Sequence, residues 1–116
     1  MYRSFEDLDA WKRASRLAVR TYEVLHNCSD RSLKNQMTRA AVSVASNIAE
    51  GAERGSNPDF IRFLHIAKGS LAELRTQTYI AFKINILSEE TRVELVGECV
   101  ELSKMLHGLI KSLKKA

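Results

Sequence analysis

The sequence has few residues that interrupt helices and no run that could cross a membrane. Its 116 residues include one proline, five glycines and two cysteines. No segment approaches the roughly 20 consecutive apolar residues that a transmembrane helix needs, and the first residues lack the apolar core of a signal peptide. These absences exclude a membrane-spanning protein, and we expect a cytoplasmic location with no membrane partner.

The side chains that build metal, redox or catalytic sites are scarce and scattered. Cys28 and Cys99 lie far apart, with neither the close pairing of a metal site nor the density of a secreted disulfide scaffold. His26, His65 and His107 fall in separate predicted helices, and no helix carries the Glu-x-x-His pattern of di-iron bundles. A glycine-rich phosphate loop is also lacking. We therefore expect reduced structural cysteines, no bound metal, no cofactor and no catalytic residues.

The composition is that of a folded globular domain. Hydrophobic residues make up 45% of the chain and charged residues 28%, with a net charge of +4. Disordered chains have fewer apolar residues and a larger net charge. Because a chain of this length supports one continuous core, we predict a single domain over residues 1–116.

Three breaks divide the chain into four segments. They lie near residues 27–32, 55–58 and 87–88. In the second break, Gly55 can take the left-handed conformation that ends a helix, Asn57 can cap the next helix, and Pro58 suits its first position. In the third, Ser88 precedes two glutamates and is typical of a helix N-cap. The breaks therefore predict helices at about residues 5–26, 32–54, 58–86 and 89–114.

Within each segment, apolar residues recur every three or four positions, as they do on one face of an α-helix. Ser4 and Asp7 resemble a capping box at the start of the first segment. Small residues such as Ala40 and Ala41 in the second segment would let a neighbouring helix approach closely. No segment shows the alternation of a strand. The sequence thus predicts an all-α protein, an antiparallel up-down-up-down four-helix bundle.

Polar residues form a second stripe along two of the predicted helices. In the second helix they recur at helical spacing as Gln36, Arg39, Ser43, Asn47, Glu50 and Arg54, and in the third as Ser70, Glu73 and Gln77. The two seams could face each other inside the bundle and satisfy one another, or lie at a subunit interface. The alternative is an ordinary solvated helix face.

The first predicted helix also carries a basic ridge. It consists of Lys12, Arg13, Arg16 and Arg20, three of them stacked at intervals of four. Like charges at this spacing repel, so the ridge makes most sense if a polyanion or an acidic neighbour compensates it. Solvation, contact with nucleic acid and salt bridges between subunits all remain open.

Three blocks of the sequence carry a family resemblance. They are Phe5 to Lys12, Gln36 to Gly51 with its Asn-Ile-Ala-Glu-Gly end, and Phe60 to Leu74 with its Gly-Ser-Leu-Ala-Glu-Leu end. Together they resemble the four-helix-bundle proteins encoded in intervening sequences of 23S ribosomal RNA genes. The sequence differs from that family's pattern at Thr38, where an arginine commonly precedes Arg39, and it lacks a phenylalanine-proline connection after the first helix.

The resemblance implies a ring-like homopentamer with a basic surface. It also implies kinship with the accessory protein of diversity-generating retroelements, which binds nucleic acid and a reverse transcriptase. We therefore predict a non-enzymatic, homo-oligomeric adaptor whose partners are structured RNA or DNA and a reverse transcriptase. The alternative is a protein-interaction scaffold that assembles through its polar seams. A metal-dependent enzyme using Glu50 and Glu73 is the least supported hypothesis.

Overall fold

The computed structural model describes residues 4–116 as four α-helices, with no strand in that range. A short 3-10 turn at Phe5–Asp7 precedes helices α1 (Asp9–Val24), α2 (Arg31–Glu53), α3 (Asn57–Lys83) and α4 (Glu89–Lys115). Each helix packs against the next, and α4 returns to α1, which closes a bundle of 45 × 19 × 19 Å. The predicted all-α, up-down-up-down antiparallel bundle is confirmed. None of the helices in residues 4–116 is both long and apolar enough to cross a membrane.

The helix starts depend on side chains that accept a backbone hydrogen bond. Ser88 Oγ accepts the amide of Thr91 at 3.1 Å, as expected for the cap of α4. At the start of α3 the cap is Ser56 and not Asn57, because Ser56 Oγ accepts the amide of Asp59 at 3.3 Å. Asn57 is instead the first residue of the helix, where its side-chain amide donates to the carbonyl of Leu113 at 3.3 Å and links α3 to the end of α4.

The predicted capping box at the start of α1 is wrong. Ser4 Oγ accepts the amide of Glu6 at 3.1 Å, so it caps the 3-10 turn, and Asp7 bonds to Ser4 through its backbone amide, which donates to the Ser4 carbonyl at 3.0 Å, and not through its side chain. Leu8 then takes an extended conformation, with φ −74° and ψ 125°, which interrupts the helical path. Helix α1 therefore begins at Asp9, four residues later than predicted.

A left-handed residue follows the C-cap of both α2 and α3. Gly55 has φ 89° directly after the C-cap of α2, which is the role its sequence position indicates. Asn85 has φ 67°, and the amide of Ile86 donates to the carbonyl of Ala81 at 2.8 Å. This Schellman-type arrangement ends α3 at Lys83, three residues before the predicted end.

The core receives apolar side chains from all four helices. Its fully buried members include Leu17, Met37, Val44, Ile48, Leu64, Leu74, Leu95, Leu102 and Leu106. Thr21 and Thr78 are fully buried among them, and each donates its hydroxyl to the carbonyl four residues earlier, that of Leu17 and that of Leu74, at 2.8 Å. Their polar atoms are thus satisfied within their own helices, which leaves the core free to pack apolar groups.

The two cysteines are predicted to differ sharply in reactivity. Cys99 is 1% exposed, and burial raises the pKa of its thiol to about 12, whereas Cys28 is only half-buried. Since the thiolate is the reactive form, Ellman's reagent should label one thiol per native chain and the second only after unfolding. Cys28→Ser should abolish the rapid phase. Equal rates for both thiols in the native protein would contradict the burial of Cys99.

Candidate functional site

Half of the basic ridge on α1 is neutralised within the chain. Arg20 donates from Nε and Nη2 to the two carboxylate oxygens of Glu94, at 2.7 and 3.0 Å. Arg13 pairs in the same way with Glu98, with Nη2 at 3.3 Å from Oε2. Both acids lie on α4, so these two arginines compensate an acidic neighbour and tie α1 to α4. Compensation by an acidic neighbour is one of the two arrangements that the repulsion between like charges along the ridge favours.

The Arg20–Glu94 pair predicts a shifted titration. Hydrogen bonds from Arg20 hold the pKa of Glu94 below its ordinary value. The stabilisation from this ion pair is therefore fully present above the ordinary glutamate pKa of about 4.3. It is lost as the pH falls through the lowered pKa of Glu94. Carboxyl carbon NMR should find the pKa of Glu94 depressed in the native protein and returned to its ordinary range in Arg20→Gln. An unchanged value in that variant would show that the pair does not form in solution.

The other two members of the ridge remain available. Lys12 and Arg16 are exposed, and neither forms an ion pair with any residue in the described range 4–116. The groove beside them, between α1 and α4, has a volume of about 670 Å³. Its lining mixes the three arginines with Glu23, Glu94 and Glu98. Because acidic groups repel phosphates, this mixed lining is poorly suited to a polyanion.

The two polar seams meet only at their centre. Ser43 and Ser70 share a hydrogen bond between their hydroxyls at 3.0 Å, across the contact of α2 and α3. Asn47 donates to the carbonyl and the hydroxyl of Ser43, at 2.8 and 3.0 Å. Of the remaining members of the predicted seams, Gln77 is buried, whereas the others are exposed, namely Gln36, Arg39, Glu50, Arg54 and Glu73. The seam of α2 is therefore solvent-facing toward its ends, whereas the seam of α3 is buried again at Gln77.

One polar group of the α3 seam lacks a partner. Gln77 is 7% exposed, and its Oε1 accepts no hydrogen bond from residues 4–116. Exposed isoleucines lie on the same side of the bundle at helical spacing, Ile66 and Ile80 within α3 and Ile84 at its C-cap. A buried amide oxygen without a hydrogen-bond partner destabilises the folded state by roughly 1–3 kcal/mol. The surface formed by Gln77 and these isoleucines therefore differs from an ordinary solvated helix face.

A basic groove between α3 and α4 was not anticipated from the sequence. It consists of two adjoining depressions of about 340 and 320 Å³, both lined by Lys68, Arg75 and Ser103. Lys104 and His107 complete the second depression, and no acidic residue lines either one. Lys68, Arg75 and Lys104 form no ion pair within the described part of the chain. The groove is the most uniformly basic depression described on the surface.

Helix α4 separates charges of opposite sign onto its two edges. Glu94, Glu98 and Glu101 follow one another at steps of four and three on the edge toward α1, where they act on Arg13 and Arg20. Lys104, His107 and Lys111 continue at steps of three and four, and the first two of these line the groove toward α3. This periodicity is the signal in the sequence from which the basic groove could have been predicted.

An arginine and two aromatic rings extend the groove toward the start of α4. The guanidinium carbon of Arg92 lies 5.0 Å from the ring centre of Phe82 and 5.9 Å from that of Tyr79. Tyr79 also lines the first depression and is 40% exposed. An aromatic ring thus lies at the end of a row of cations.

Comparison with known proteins identifies the family. A family model described as 23S rRNA-intervening sequence protein matches residues 6–108. The chain belongs to this family. A crystal structure from Bacteroides thetaiotaomicron, of a protein with unknown function from the S23 ribosomal protein family, has a similar fold. The TM-score is 0.82 at 24% sequence identity, covering 88% of this chain and 98% of the other. No curated protein sequence matches the chain.

Two of the three blocks that carry the resemblance meet at the contact of α2 and α3. Asn47 and Ser70 belong to the hydrogen-bonded centre of the seam, and Gly51 packs against Phe63 of α3. Thr38, where an arginine is common in the family, is buried and donates its hydroxyl to the carbonyl of Lys34 at 2.8 Å. The matched blocks therefore include residues that hold the bundle together.

Metal-ligating residues are dispersed in the described part of this family member. No three His, Cys, Asp or Glu side chains of residues 4–116 come together in a group that could hold a metal ion. Glu50 and Glu73 are both exposed, on different helices, and Glu50 lies 4.0 Å from Arg54 one turn away. These two carboxylates thus have the surroundings of ordinary surface side chains.

Proposed function

We propose that this protein is a non-enzymatic, nucleic-acid-binding adaptor that works as a homo-oligomer. The observation that carries the proposal is a set of cations without acidic partners, in contrast to the paired Arg13 and Arg20. Lys12 and Arg16 form one such group on α1, and the α3–α4 groove forms the other. Unpaired cations in a row repel one another, and phosphates would relieve that repulsion.

The resemblance to ring-forming relatives supports a pentamer as the assembly. In a ring each basic surface is repeated in every subunit, so many weak phosphate contacts would add up to useful avidity. The expected affinity is sensitive to salt and largely independent of sequence, because it rests on counterion release. Structured RNA or DNA is the expected nucleic acid, and a reverse transcriptase is the protein partner suggested by the kinship with retroelement accessory proteins.

Mobility shifts at increasing salt test this function. The wild-type protein should bind structured RNA and duplex DNA at low salt, with affinity falling steeply as salt rises. The double variant Lys12→Gln, Arg16→Gln should reduce the slope of log affinity against log salt on duplex DNA by about 0.9 for each phosphate that the variant no longer neutralises. These two side chains form no ion pair within residues 4–116, so their removal breaks no described salt bridge.

Two results would decide against parts of this function. Absence of binding to both nucleic acids at low salt would reject it altogether. An unchanged salt slope in the double variant would remove the α1 ridge from the binding surface. Arg13→Gln and Arg20→Gln are unsuitable for this purpose, because each leaves a glutamate of α4 unpaired.

A protein scaffold without a nucleic-acid role is the second candidate, favoured by the buried oxygen of Gln77. A donor from a second copy could satisfy Oε1, while the contact would cover the exposed Ile80 and Ile84. This assembly predicts that Ile80→Glu combined with Ile84→Glu lowers the mass measured by light scattering. Val93→Glu, on the outer face of α4, is the matched control and should leave the mass unchanged. A normal mass in the isoleucine variant would exclude this stripe as an interface.

Residues of the polar seam give a further test of self-assembly. Glu50 is exposed, whereas Asn47 is held by two hydrogen bonds within its own chain. If the seam forms a subunit interface, Glu50→Ala should alter the oligomeric mass without changing the melting temperature of the subunit. Asn47→Ala should change both, since it also removes intrachain hydrogen bonds. An unaltered mass in Glu50→Ala would confine the seam to a structural role within the subunit.

A further inference from the structure

We infer that the α3–α4 groove binds a single-stranded nucleic acid, with phosphates on Lys68, Arg75 and Lys104 and a base stacked on Tyr79. This inference rests on the proposed nucleic-acid function and narrows it to one surface and one form of the polymer. Neither the ridge on α1 nor the seam of α2 and α3 contributes residues to this proposed binding site.

The charge of the groove favours a polyanion. Lys68, Arg75 and Lys104 line it together with His107, and no carboxylate of residues 4–116 contributes to its walls. The groove on the opposite edge of α4 is larger than either depression alone, but it contains three glutamates beside its three arginines. A phosphate entering the α3–α4 groove would thus meet cations and the hydroxyl of Ser103, whereas in the α1–α4 groove it would displace existing ion pairs.

The arrangement of the cations indicates a polymer and not one isolated phosphate. Lys68 and Arg75 are seven residues apart, which is two helical turns or about 10 Å along α3. Lys104 faces the same stretch from α4. Cations spaced along a groove can each contact a different phosphate of one extended backbone, which is the pattern of proteins that follow a single strand.

The width of the groove and its aromatic residue select the single-stranded form. Adjacent helices in a bundle lie about 8–10 Å apart, so the groove between them admits one extended chain, whereas a duplex could touch only its rims. Tyr79 offers a partly exposed ring within the groove, and the guanidinium of Arg92 lies against that ring and against Phe82. Unpaired bases stack on such a ring, whereas bases inside a duplex cannot reach it.

Fluorescence anisotropy with labelled oligouridine, oligothymidine and an RNA hairpin of equal length tests the groove. The wild-type protein should bind the two single strands equally well, since no contact to the 2′-hydroxyl is required, and about tenfold more tightly than the hairpin. Lys68→Gln and Arg75→Gln should each reduce the salt slope by about 0.7. Tyr79→Leu should weaken binding about tenfold with an unchanged slope, and Tyr79→Phe should bind normally because it keeps the ring.

Arg31→Gln is the matched control, since it removes an exposed arginine of α2 that lies outside both basic surfaces. It should leave binding of the single strands unchanged. If Arg16→Gln, on the α1 ridge, weakens binding while the groove variants do not, the groove is excluded but nucleic-acid binding stands. If the wild-type protein binds none of the probes, both proposals fail. Preference for the hairpin, or full affinity in Tyr79→Leu, would overturn the single-strand assignment.

Photocrosslinking of the wild-type protein gives a second readout that does not depend on how the variants fold. A thiouridine-substituted oligouridine should crosslink to peptides of residues 68–79 or 99–107. Crosslinks confined to α1 or to the α2–α3 face would contradict the groove.

Discussion

Replacing Gly51 with alanine is expected to destabilise the protein by about 1–3 kcal/mol, even though alanine is the better helix former. A Cβ at this position would lie 2.6 Å from Cβ of Phe63 and 3.1 Å from Cδ1 of Phe60. The first of these atoms is next to the backbone of α3 and cannot rotate away. The two helices must therefore separate, and the loss of packing outweighs the gain of roughly 1 kcal/mol in helix propensity.

The other helical glycines provide matched controls with the opposite sign. A Cβ added at Gly69, Gly97 or Gly108 would meet nothing within 4 Å. Each alanine substitution there should stabilise the protein by about 0.5–1 kcal/mol, because alanine loses less backbone entropy on folding. Thermal unfolding followed by circular dichroism should thus show Gly51→Ala melting lower than the wild type and Gly69→Ala melting higher. Equal melting temperatures for these two variants would contradict the close approach of α2 and α3.

Local sequence features predicted most of the helix boundaries because the interactions that set them span only a few residues. Ser88 and Gly55 have the roles that their positions indicate, as an N-cap and as a left-handed residue after a helix. The errors arise where neighbouring residues compete for one role. Ser56 and Asn57 are both good caps, and only the folded chain shows that Asn57 is better used by the carbonyl of Leu113.

The pairing of the basic ridge could not be derived from the sequence. Arg20 and Glu94 are 74 residues apart, and Arg13 and Glu98 are 85 apart. Spacing along one helix gives the face on which each charge lies, but not which helix that face meets. The spacing thus predicts the helical face of the ridge, while its division into paired and unpaired cations depends on the packing of α1 against α4.

The groove between α3 and α4 shows a different limit. Its cations are contributed by two helices, and neither helix has a basic stripe as dense as the one on α1. What distinguishes the groove is the lack of acidic residues, because α4 places its glutamates on the other edge. The densest cluster of positive charge in the sequence lies in α1 and favours that helix as the binding surface. The electrostatic field of the folded protein, however, depends on which charges remain uncompensated after folding.

Leu102→Ala is expected to destabilise the protein by about 2–5 kcal/mol, since it removes a fully buried side chain and leaves a cavity. Leu102 is 0% exposed and belongs to a core cluster to which all four helices contribute. A loss of this size is a large part of the total stability of a small domain, which is about 5–15 kcal/mol. The melting temperature should fall by roughly 4 °C or more for each kcal/mol of destabilisation.

The same variant tests the prediction of a single domain. Trp11 on α1 packs against the core, so its fluorescence reports on a helix other than the one that carries the substitution. If the core is one cooperative unit, Leu102→Ala should shift the fluorescence and circular dichroism transitions together. Val93→Ala is the control, at a position 55% exposed on the same helix, and it should change the free energy of unfolding by less than about 0.5 kcal/mol. Two separate transitions would instead mean that α1, which is linked to α4 by two arginine–glutamate pairs, unfolds independently of the other three helices.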